Sequence, residues 1–69
     1  MTKPNKEERA LIAMVIREKG YKNVKGVEKI NAVTFKAEAT RRLGKTVHYG
    51  LIVQVRPEGY NVGVDYAYS

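Results

Sequence analysis

The chain contains no cysteine, few acidic residues and no long apolar run. Without cysteine it forms neither a disulfide framework nor a zinc cluster of the usual kind, so an apolar core must stabilise the fold, alone or with a partner subunit. Its longest nearly uninterrupted apolar run, residues 10–16, is far shorter than the roughly 20 residues that span a bilayer. Residues 1–6 also lack an apolar stretch of the signal-peptide type. We therefore predict a cytoplasmic protein with no membrane partner.

Length and charge set further bounds on function. A chain of 69 residues allows one small domain, residues 1–69, and folding of such a domain hides only about 60% of the unfolded surface. Little stability then remains for a deep catalytic pocket. The chain has 13 Lys and Arg against 7 Asp and Glu, which gives a formal net charge of +6. This charge is normal for a soluble small domain and also suits nucleic-acid binding.

One helix is predicted near the start of the chain. Asn5 followed three residues later by Glu8 forms a reciprocal cap, and Gly20 takes the left-handed conformation that ends a helix. These signals predict a helix over residues 6–19. Its apolar residues cover an arc of about 200°, wider than packing on one surface requires, so the helix either sinks deeply into the fold or meets another chain. These apolar residues are Leu11, Ile12, Met14, Val15 and Ile16.

From Val33 onward, apolar and polar residues alternate with the period of a β-strand. The pattern predicts three antiparallel strands over residues 32–42, 46–56 and 60–68, with turns at 43–45 and 57–59. Residues 24–31 are less regular and predict a short strand or an extended lead-in. The predicted fold is α+β, with one N-terminal helix packed on a three-stranded antiparallel β-meander. The predicted centre of its core is Leu11, Val15, Phe35, Leu51, Val53 and Val64.

Strand register follows from keeping each apolar row on one face of the sheet. The first hairpin is predicted to pair Ala39 with Tyr49, Ala37 with Leu51 and Phe35 with Val53. The second hairpin needs an even-numbered turn, either residues 58–59 or residues 57–60, which places Val53 beside Val64 and Leu51 beside Tyr66. This register turns the strand tyrosines toward the helix, where core or rim packing is favoured over base stacking. These tyrosines are Tyr49, Tyr60, Tyr66 and Tyr68.

The order of elements along the chain forms a recognisable pattern. After the helix come residues 20–24 (GYKNV), 27–30 (VEKI) and 34–39 (TFKAEA), then a Gly-Lys turn and a final pair of strands. In this pattern, residues 8–56 resemble PepSY-type domains. The resemblance implies one helix on a three-stranded meander and a non-catalytic module, which in that family is often linked to binding or inhibiting proteins outside the cytoplasm. The family has no catalytic residues to transfer. This chain departs from it in having no export signal and in the long alternating segment at residues 59–69.

No group of residues in the sequence suggests catalysis. His48 is the only histidine and is predicted to face outward, without converging metal ligands or a nucleophile that it would serve as a base. Residues 44–46, Gly-Lys-Thr, resemble the end of a phosphate-binding loop, but position 39 is alanine where that loop needs glycine, and no helix follows. We therefore predict a protein that is not an enzyme and has no catalytic residues, cofactor or metal.

The sheet face away from the helix is the first candidate site. With one helix available, the even-numbered strand residues face water or a partner, and few of them are long. Ile52 is predicted to lie between Lys36 and Asp65, and the free edge of the last strand offers pairing to another strand. The candidate interface residues are Lys36, Gly50, Ile52, Gly63, Asp65 and Ala67. We predict a module that binds another protein stoichiometrically, as a regulator or inhibitor, and self-associates as a homodimer.

The positive charges provide an alternative function. They form two clusters, one after the helix with Lys19, Lys22, Lys25 and Lys29, and one around the first hairpin turn with Arg41, Arg42 and Lys45. Such clusters contact nucleic-acid phosphates through electrostatics that do not depend on sequence, or they only keep the domain soluble. A third hypothesis is a structural domain with no assignable activity. The same fold suits all three functions, so the fold alone does not choose among them.

Overall fold

One α-helix precedes four antiparallel β-strands in a computed structural model, which describes residues 3–69. The elements are α1 (Lys6–Glu18), β1 (Lys22–Asn31), β2 (Thr34–Leu43), β3 (Lys45–Arg56) and β4 (Gly59–Tyr68). The strands form one sheet in the order β1-β2-β3-β4. The α+β class is confirmed, but the prediction of three strands is wrong because β1 adds a fourth. The predicted domain also includes residues 1 and 2, which lie outside the described residues.

Helix α1 begins at the predicted cap. The Glu8 amide donates to Asn5 Oδ1 at 2.8 Å, and the Asn5 amide donates to Glu8 Oε1 at 3.0 Å. Each side chain thereby satisfies an N–H group that has no partner within the helix. The helix ends at Glu18, one residue before the predicted end, and Gly20 follows with a φ of +96°. In the part of the chain that the structure describes, no helix is long and apolar enough to cross a membrane.

Strand β1 lacks the alternation of a strand because bulges interrupt it. From Lys22 to Lys25 it advances three residues while β2 advances two, and the same happens in the next step to Glu28. Asn23 and Gly26 take the positive φ values of 55° and 62° at these two points. Each extra residue shifts the apolar positions from a period of two to a period of three. The spacing of the half-buried Val24 and Val27 follows from these shifts.

The hairpin of β2 and β3 has the predicted register. Its pairs include Ala39 with Tyr49, Ala37 with Leu51 and Phe35 with Val53. Gly44 lies at the tip with a φ of +81°, a conformation that glycine adopts without strain. The predicted register is therefore confirmed, but the predicted turn at 43–45 is shorter in the structure, because Leu43 and Lys45 pair with each other and leave Gly44 alone at the tip.

The hairpin of β3 and β4 has a different register from the predicted one. Its turn has an even number of residues, as expected, but it consists of residues 57–58 and not of either predicted range, because Arg56 pairs with Gly59. However, Val53 pairs with Val62 instead of Val64, and Leu51 pairs with Val64 instead of Tyr66. The predicted pairing is therefore wrong by two residues along β4.

A bulge at Asp65 reverses the sheet face toward which the following residues of β4 point. Leu51 pairs with Val64, but the next residue of β3, Gly50, pairs with Tyr66, so Asp65 is an extra residue. Beyond this point Tyr66 lies on the face away from α1. Tyr68, which pairs with His48, lies on the same face. The prediction that these two tyrosines face the helix is wrong. We call the face away from α1 the outer face.

The core lies between α1 and the face of the sheet that is turned toward α1. Its buried residues are Ile12, Val15, Ile16, Tyr21, Phe35, Ala37, Ala39, Leu51 and Val53. Leu51 and Val53 thus point toward the helix, as predicted, and Tyr49 packs against the same cluster. Leu11 and Val64 were predicted at the core centre, but they are 36% and 55% exposed. Because α1 lies closest to β1, it leaves the helix side of β4 partly uncovered.

Candidate functional site

Three nearly parallel rings lie on the outer face, and we call them the aromatic ladder: His48, Tyr68 and Tyr66. The His48 and Tyr68 ring centroids are 5.0 Å apart with planes inclined by 16°, and the Tyr68 and Tyr66 centroids are 6.3 Å apart with planes inclined by 14°. Tyr66 and Tyr68 are 46% and 56% exposed. His48 on β3 pairs directly with Tyr68 on β4, so the ladder spans these two neighbouring strands.

The Tyr66 ring lies over Gly50, its partner on β3. A Cβ at position 50 would collide with the ring atoms, and the ring buries the backbone of Gly50. An aromatic ring that covers a cross-strand glycine protects backbone that would otherwise be exposed. Gly50 within an apolar strand was the sequence signal for this close approach, because a strand glycine often marks a place where another group packs on the backbone.

Tyr66 remains a neutral phenol near neutral pH. Partial desolvation raises the pKa of Tyr66 above its ordinary value of 10.0, and the negative charges of Glu38 and Asp65 add to this effect. The hydroxyl group therefore keeps its proton as a hydrogen-bond donor. Both carboxylates line a small pocket together with the ring.

A row of paired residues joins the ladder to a cationic edge. Lys22 on β1 pairs with Thr40, which pairs with His48, which pairs with Tyr68. A groove of about 370 Å³ lies at this end of the sheet, and its lining includes Lys22, Arg42, Thr40 and Thr46. The groove is also lined by Arg41, and the Thr40 hydroxyl in it is already engaged, accepting from Asn23 Nδ2 and donating to the Lys22 carbonyl. Its cationic side chains and the Thr46 hydroxyl are groups that bind phosphate oxygens in proteins.

Two of the predicted nucleic-acid residues make contacts within the fold. The Arg41 guanidinium lies 4.1 Å from the centroid of the Tyr21 ring, and its Nη2 donates to the Lys19 carbonyl at 2.5 Å, at the end of α1. Lys29 Nζ donates to Glu8 Oε2 at 2.7 Å, which holds β1 against the first turn of α1. Lys22, Lys25, Arg42 and Lys45 are the other predicted cations, and no ion pair involves them within residues 3–69.

The predicted protein-interface residues are only partly brought together. Lys36, Ile52 and Gly63 form one row on the outer face, so Ile52 has Gly63 as its neighbour and the predicted neighbour Asp65 is wrong. Ala67 pairs with Tyr49 and lies on the helix side, because the bulge reverses its direction. The expectation that the middle of this face lacks long side chains is also wrong, since the Tyr66 ring covers Gly50.

A pocket of about 80 Å³ adjoins Tyr66 on the outer face. Three carboxylates and one lysine line it, together with Gly50 and the ring: Glu28, Glu38, Asp65 and Lys36. Pockets for small organic ligands usually measure about 300–1,000 Å³, so this one does not enclose such a molecule. The described residues also contain no group of three or more histidine, cysteine or carboxylate side chains that could hold a metal ion.

Comparison with protein-family models finds no match for this chain, and comparisons with curated proteins and with solved structures find none either. The resemblance to PepSY-type domains therefore stays a prediction, and a function has to be inferred from the geometry of the outer face.

Proposed function

We propose that the protein binds single-stranded nucleic acid on the outer face of its sheet. The aromatic ladder carries this proposal, because it places three nearly parallel rings on an exposed surface beside cationic side chains. Bases stack on exposed aromatic rings whatever their sequence, and each such contact contributes about 1–3 kcal/mol. The sequence alone favoured packing of Tyr66 and Tyr68 against the helix. Their place on the outer face removes that objection to base stacking.

The cations beside the ladder support binding of the nucleic-acid backbone. Lys22 and Arg42 line the groove at the His48 end, and Lys25 lies on the same face because it pairs with Glu38, whereas Lys45 pairs with Leu43 on the helix side. The net charge of +6 favours approach of a polyanion over longer distances. Thr46 adds a hydroxyl group in the same groove, whereas the Thr40 hydroxyl is already engaged, because it accepts from Asn23 Nδ2 at 3.0 Å and donates to the Lys22 carbonyl at 3.3 Å.

A single strand fits this surface better than a duplex. Recognition of the base sequence of a duplex requires an α-helix or a two-stranded ribbon that enters the major groove. A broad sheet face with exposed rings instead suits bases that are already unstacked, as they are in loops and single strands. The ligand class that we propose is therefore single-stranded RNA or DNA.

Replacement of the two tyrosines tests base stacking. We expect Tyr66→Ala combined with Tyr68→Ala to weaken binding of a fluorescent single-stranded oligonucleotide at least about tenfold, since each stacking contact contributes about 1–3 kcal/mol. The matched control is Tyr66→Phe combined with Tyr68→Phe, which retains both rings and should retain most of the affinity. Fluorescence anisotropy measures the dissociation constants. Equal affinities for the alanine and phenylalanine variants, with both folded by circular dichroism, would exclude stacking.

Salt dependence tests the role of the cations. If Lys22, Lys25 and Arg42 each neutralise one phosphate, the logarithm of the affinity should fall with the logarithm of salt concentration with a slope of about −2. Lys22→Ala combined with Arg42→Ala should make this slope less steep by about 1–1.5. The control is Lys6→Ala, an exposed position in the first turn of α1. Wild-type protein that binds neither RNA nor DNA at low salt would end this proposal.

A protein partner is the second candidate function, and the exposed edge of β4 favours it. That strand has no neighbour on its outer side within residues 3–69, so its backbone groups are free to pair with another strand. This surface differs from the aromatic ladder. Binding of nucleic acid and binding of a protein are therefore separable by mutation.

A further inference from the structure

The two ends of the aromatic ladder differ in charge. Near His48 the outer face has the groove that contains Lys22 and Arg42. Near Tyr66 it has the small pocket whose charged residues are Glu28, Lys36, Glu38 and Asp65. Phosphates are attracted to the first end and repelled by the carboxylates of the second. A bound strand would therefore place its backbone toward His48 and direct a base edge toward the pocket.

The pocket adjoins the Tyr66 ring, on which the proposed function places a stacked base. Glu38, Gly50 and Tyr66 occupy consecutive strands in one row of the sheet, and the Tyr66 ring covers Gly50 between the other two. Asp65 precedes Tyr66 at the bulge and lines the same pocket. A volume of about 80 Å³ is suited to the hydrogen-bonding edge of a base and not to a whole ligand.

Guanine is the base whose Watson–Crick edge best matches these side chains. It presents two adjacent donors, N1–H and the N2 amino group, next to the O6 acceptor. A carboxylate accepts from two adjacent N–H groups at once, and such charge-assisted pairs are stronger than neutral ones. Lys36 supplies a donor for O6. Adenine and cytosine each offer one amino group beside an acceptor nitrogen, and uracil offers one N–H between two acceptors, so none provides two neighbouring donors.

We propose that the pocket beside Tyr66 selects guanine in single-stranded nucleic acid, with Glu38 and Asp65 accepting from N1–H and N2–H and Lys36 donating to O6. The inference rests on the proposed function, because the base reaches the pocket by stacking on Tyr66. It adds specificity for one base to a surface whose other contacts do not depend on sequence.

The test uses four short uridine-rich RNAs that differ at one central position. That position carries guanosine, inosine, adenosine or uridine, and inosine differs from guanosine only in lacking the N2 amino group. We expect wild-type protein to bind the guanosine RNA about tenfold more tightly than each of the others. The deoxy version of the guanosine oligonucleotide, measured in parallel, determines whether the sugar contributes.

Variants assign the preference to the two carboxylates. Glu38→Gln combined with Asp65→Asn keeps the side-chain shapes, and we expect it to lower the ratio of guanosine-RNA to uridine-RNA affinity from about ten to about one. Because two negative charges that repel phosphates are removed, the uridine RNA itself should bind more tightly than it binds wild-type protein. The control is Glu58→Gln, an exposed carboxylate in the turn between β3 and β4. Equal wild-type affinity for all four RNAs would overturn guanine selection and leave the proposed function standing. Failure of every RNA to bind would overturn both.

Discussion

The Tyr66 ring lies across Gly50 on the neighbouring strand and occupies the place where any other residue at position 50 would have its Cβ. Gly50 is not among the residues with positive φ, so it is needed here for space and not for an unusual backbone conformation. The same contact holds Tyr66 on the outer face, with Tyr68 and His48 beside it. One glycine thus contributes both to sheet stability and to the surface that we propose to bind bases.

Gly50→Ala should therefore destabilise the protein and displace Tyr66. Forcing an extra carbon into a packed position usually costs about 1–3 kcal/mol, and we expect a loss of that size in the free energy of unfolding. Gly63→Ala is the matched control, since Gly63 also lies on the outer face of a strand but has nothing within 4 Å of the Cβ position. Urea denaturation followed by circular dichroism measures both variants.

The contact between the Tyr66 ring and position 50 can be isolated by a double-mutant cycle. Tyr66→Ala removes the ring with which a Cβ at position 50 would collide, so adding Gly50→Ala to it should cost much less than the same change in wild-type protein. If Gly50→Ala costs the same in both backgrounds, the ring does not cause the destabilisation.

Local signals in the sequence were sufficient for α1 and for the hairpin of β2 and β3. Asn5, Glu8 and Gly20 lie at the ends of the helix, and each acts within one turn of it. Gly44 limits the first hairpin to a tight turn, and the small Ala37 and Ala39 face larger residues across it. The ends of α1 and the register of this hairpin depend on residues that are close in sequence or that pair directly, so both are predictable from the sequence.

Bulges account for what the sequence did not predict. The bulge at Gly26 had a glycine as its signal, but Asn23 also takes positive φ, and two bulges in succession removed the period of two from β1. The bulge at Asp65 involves no glycine, so nothing marked the reversal that moves Tyr66 to the outer face. A bulge depends on how neighbouring strands fit together, which is a property of the assembled sheet.

Arg41 and Arg42 should have separable effects, although they are adjacent in sequence. Arg41 packs on the Tyr21 ring and donates to the Lys19 carbonyl, so we expect Arg41→Ala to lower the free energy of unfolding by about 1–2 kcal/mol. Arg42 is exposed in the cationic groove, so Arg42→Ala should weaken oligonucleotide binding and leave stability within about 0.5 kcal/mol of wild type.

Urea denaturation and fluorescence anisotropy, applied to both arginine variants, provide the two measurements. The opposite pattern, with Arg42→Ala unstable and Arg41→Ala stable, would contradict the separation of a structural arginine from a binding arginine.

Acid should weaken the contact between α1 and β1. The hydrogen bond from Lys29, followed by the Asn5 backbone amide, holds the pKa of Glu8 below its ordinary value of 4.5. A carboxylate with a lowered pKa in the folded state stabilises the protein above its unfolded-state pKa, and this stability is lost as pH falls through the folded-state value. We therefore expect Glu8→Gln to have a lower Tm than wild type at neutral pH and the two Tm values to converge in acid.

Thermal melts from pH about 7 to about 2 compare these variants across the range in which carboxylates titrate. Glu7→Gln is the control, because Glu7 lies in the same turn and is exposed. A constant difference in Tm between Glu8→Gln and wild type over the whole range would mean that the charge of Glu8 does not stabilise the fold.

The two edges of the sheet are unequally protected against pairing with other strands. β1 presents lysines and two residues with positive φ, and such features discourage the addition of a strand. β4 has Asp65 as its only charged residue and contains no proline. On its helix side, Val64 and Tyr60 are largely exposed because α1 does not reach them. The predicted homodimer therefore has a suitable surface in the edge of β4.

If two copies pair through this edge, Val64→Lys should dissociate them, because pairing would bury the added charge beside the partner strand. Light scattering over a dilution series should then give 7.8 kDa for the variant and about twice that for wild type. Val33→Lys is the control, since Val33 is 52% exposed in the turn between β1 and β2, outside β4. Wild-type protein that measures 7.8 kDa at every concentration would contradict self-association, and a Val64→Lys variant that stays dimeric would place the contact elsewhere.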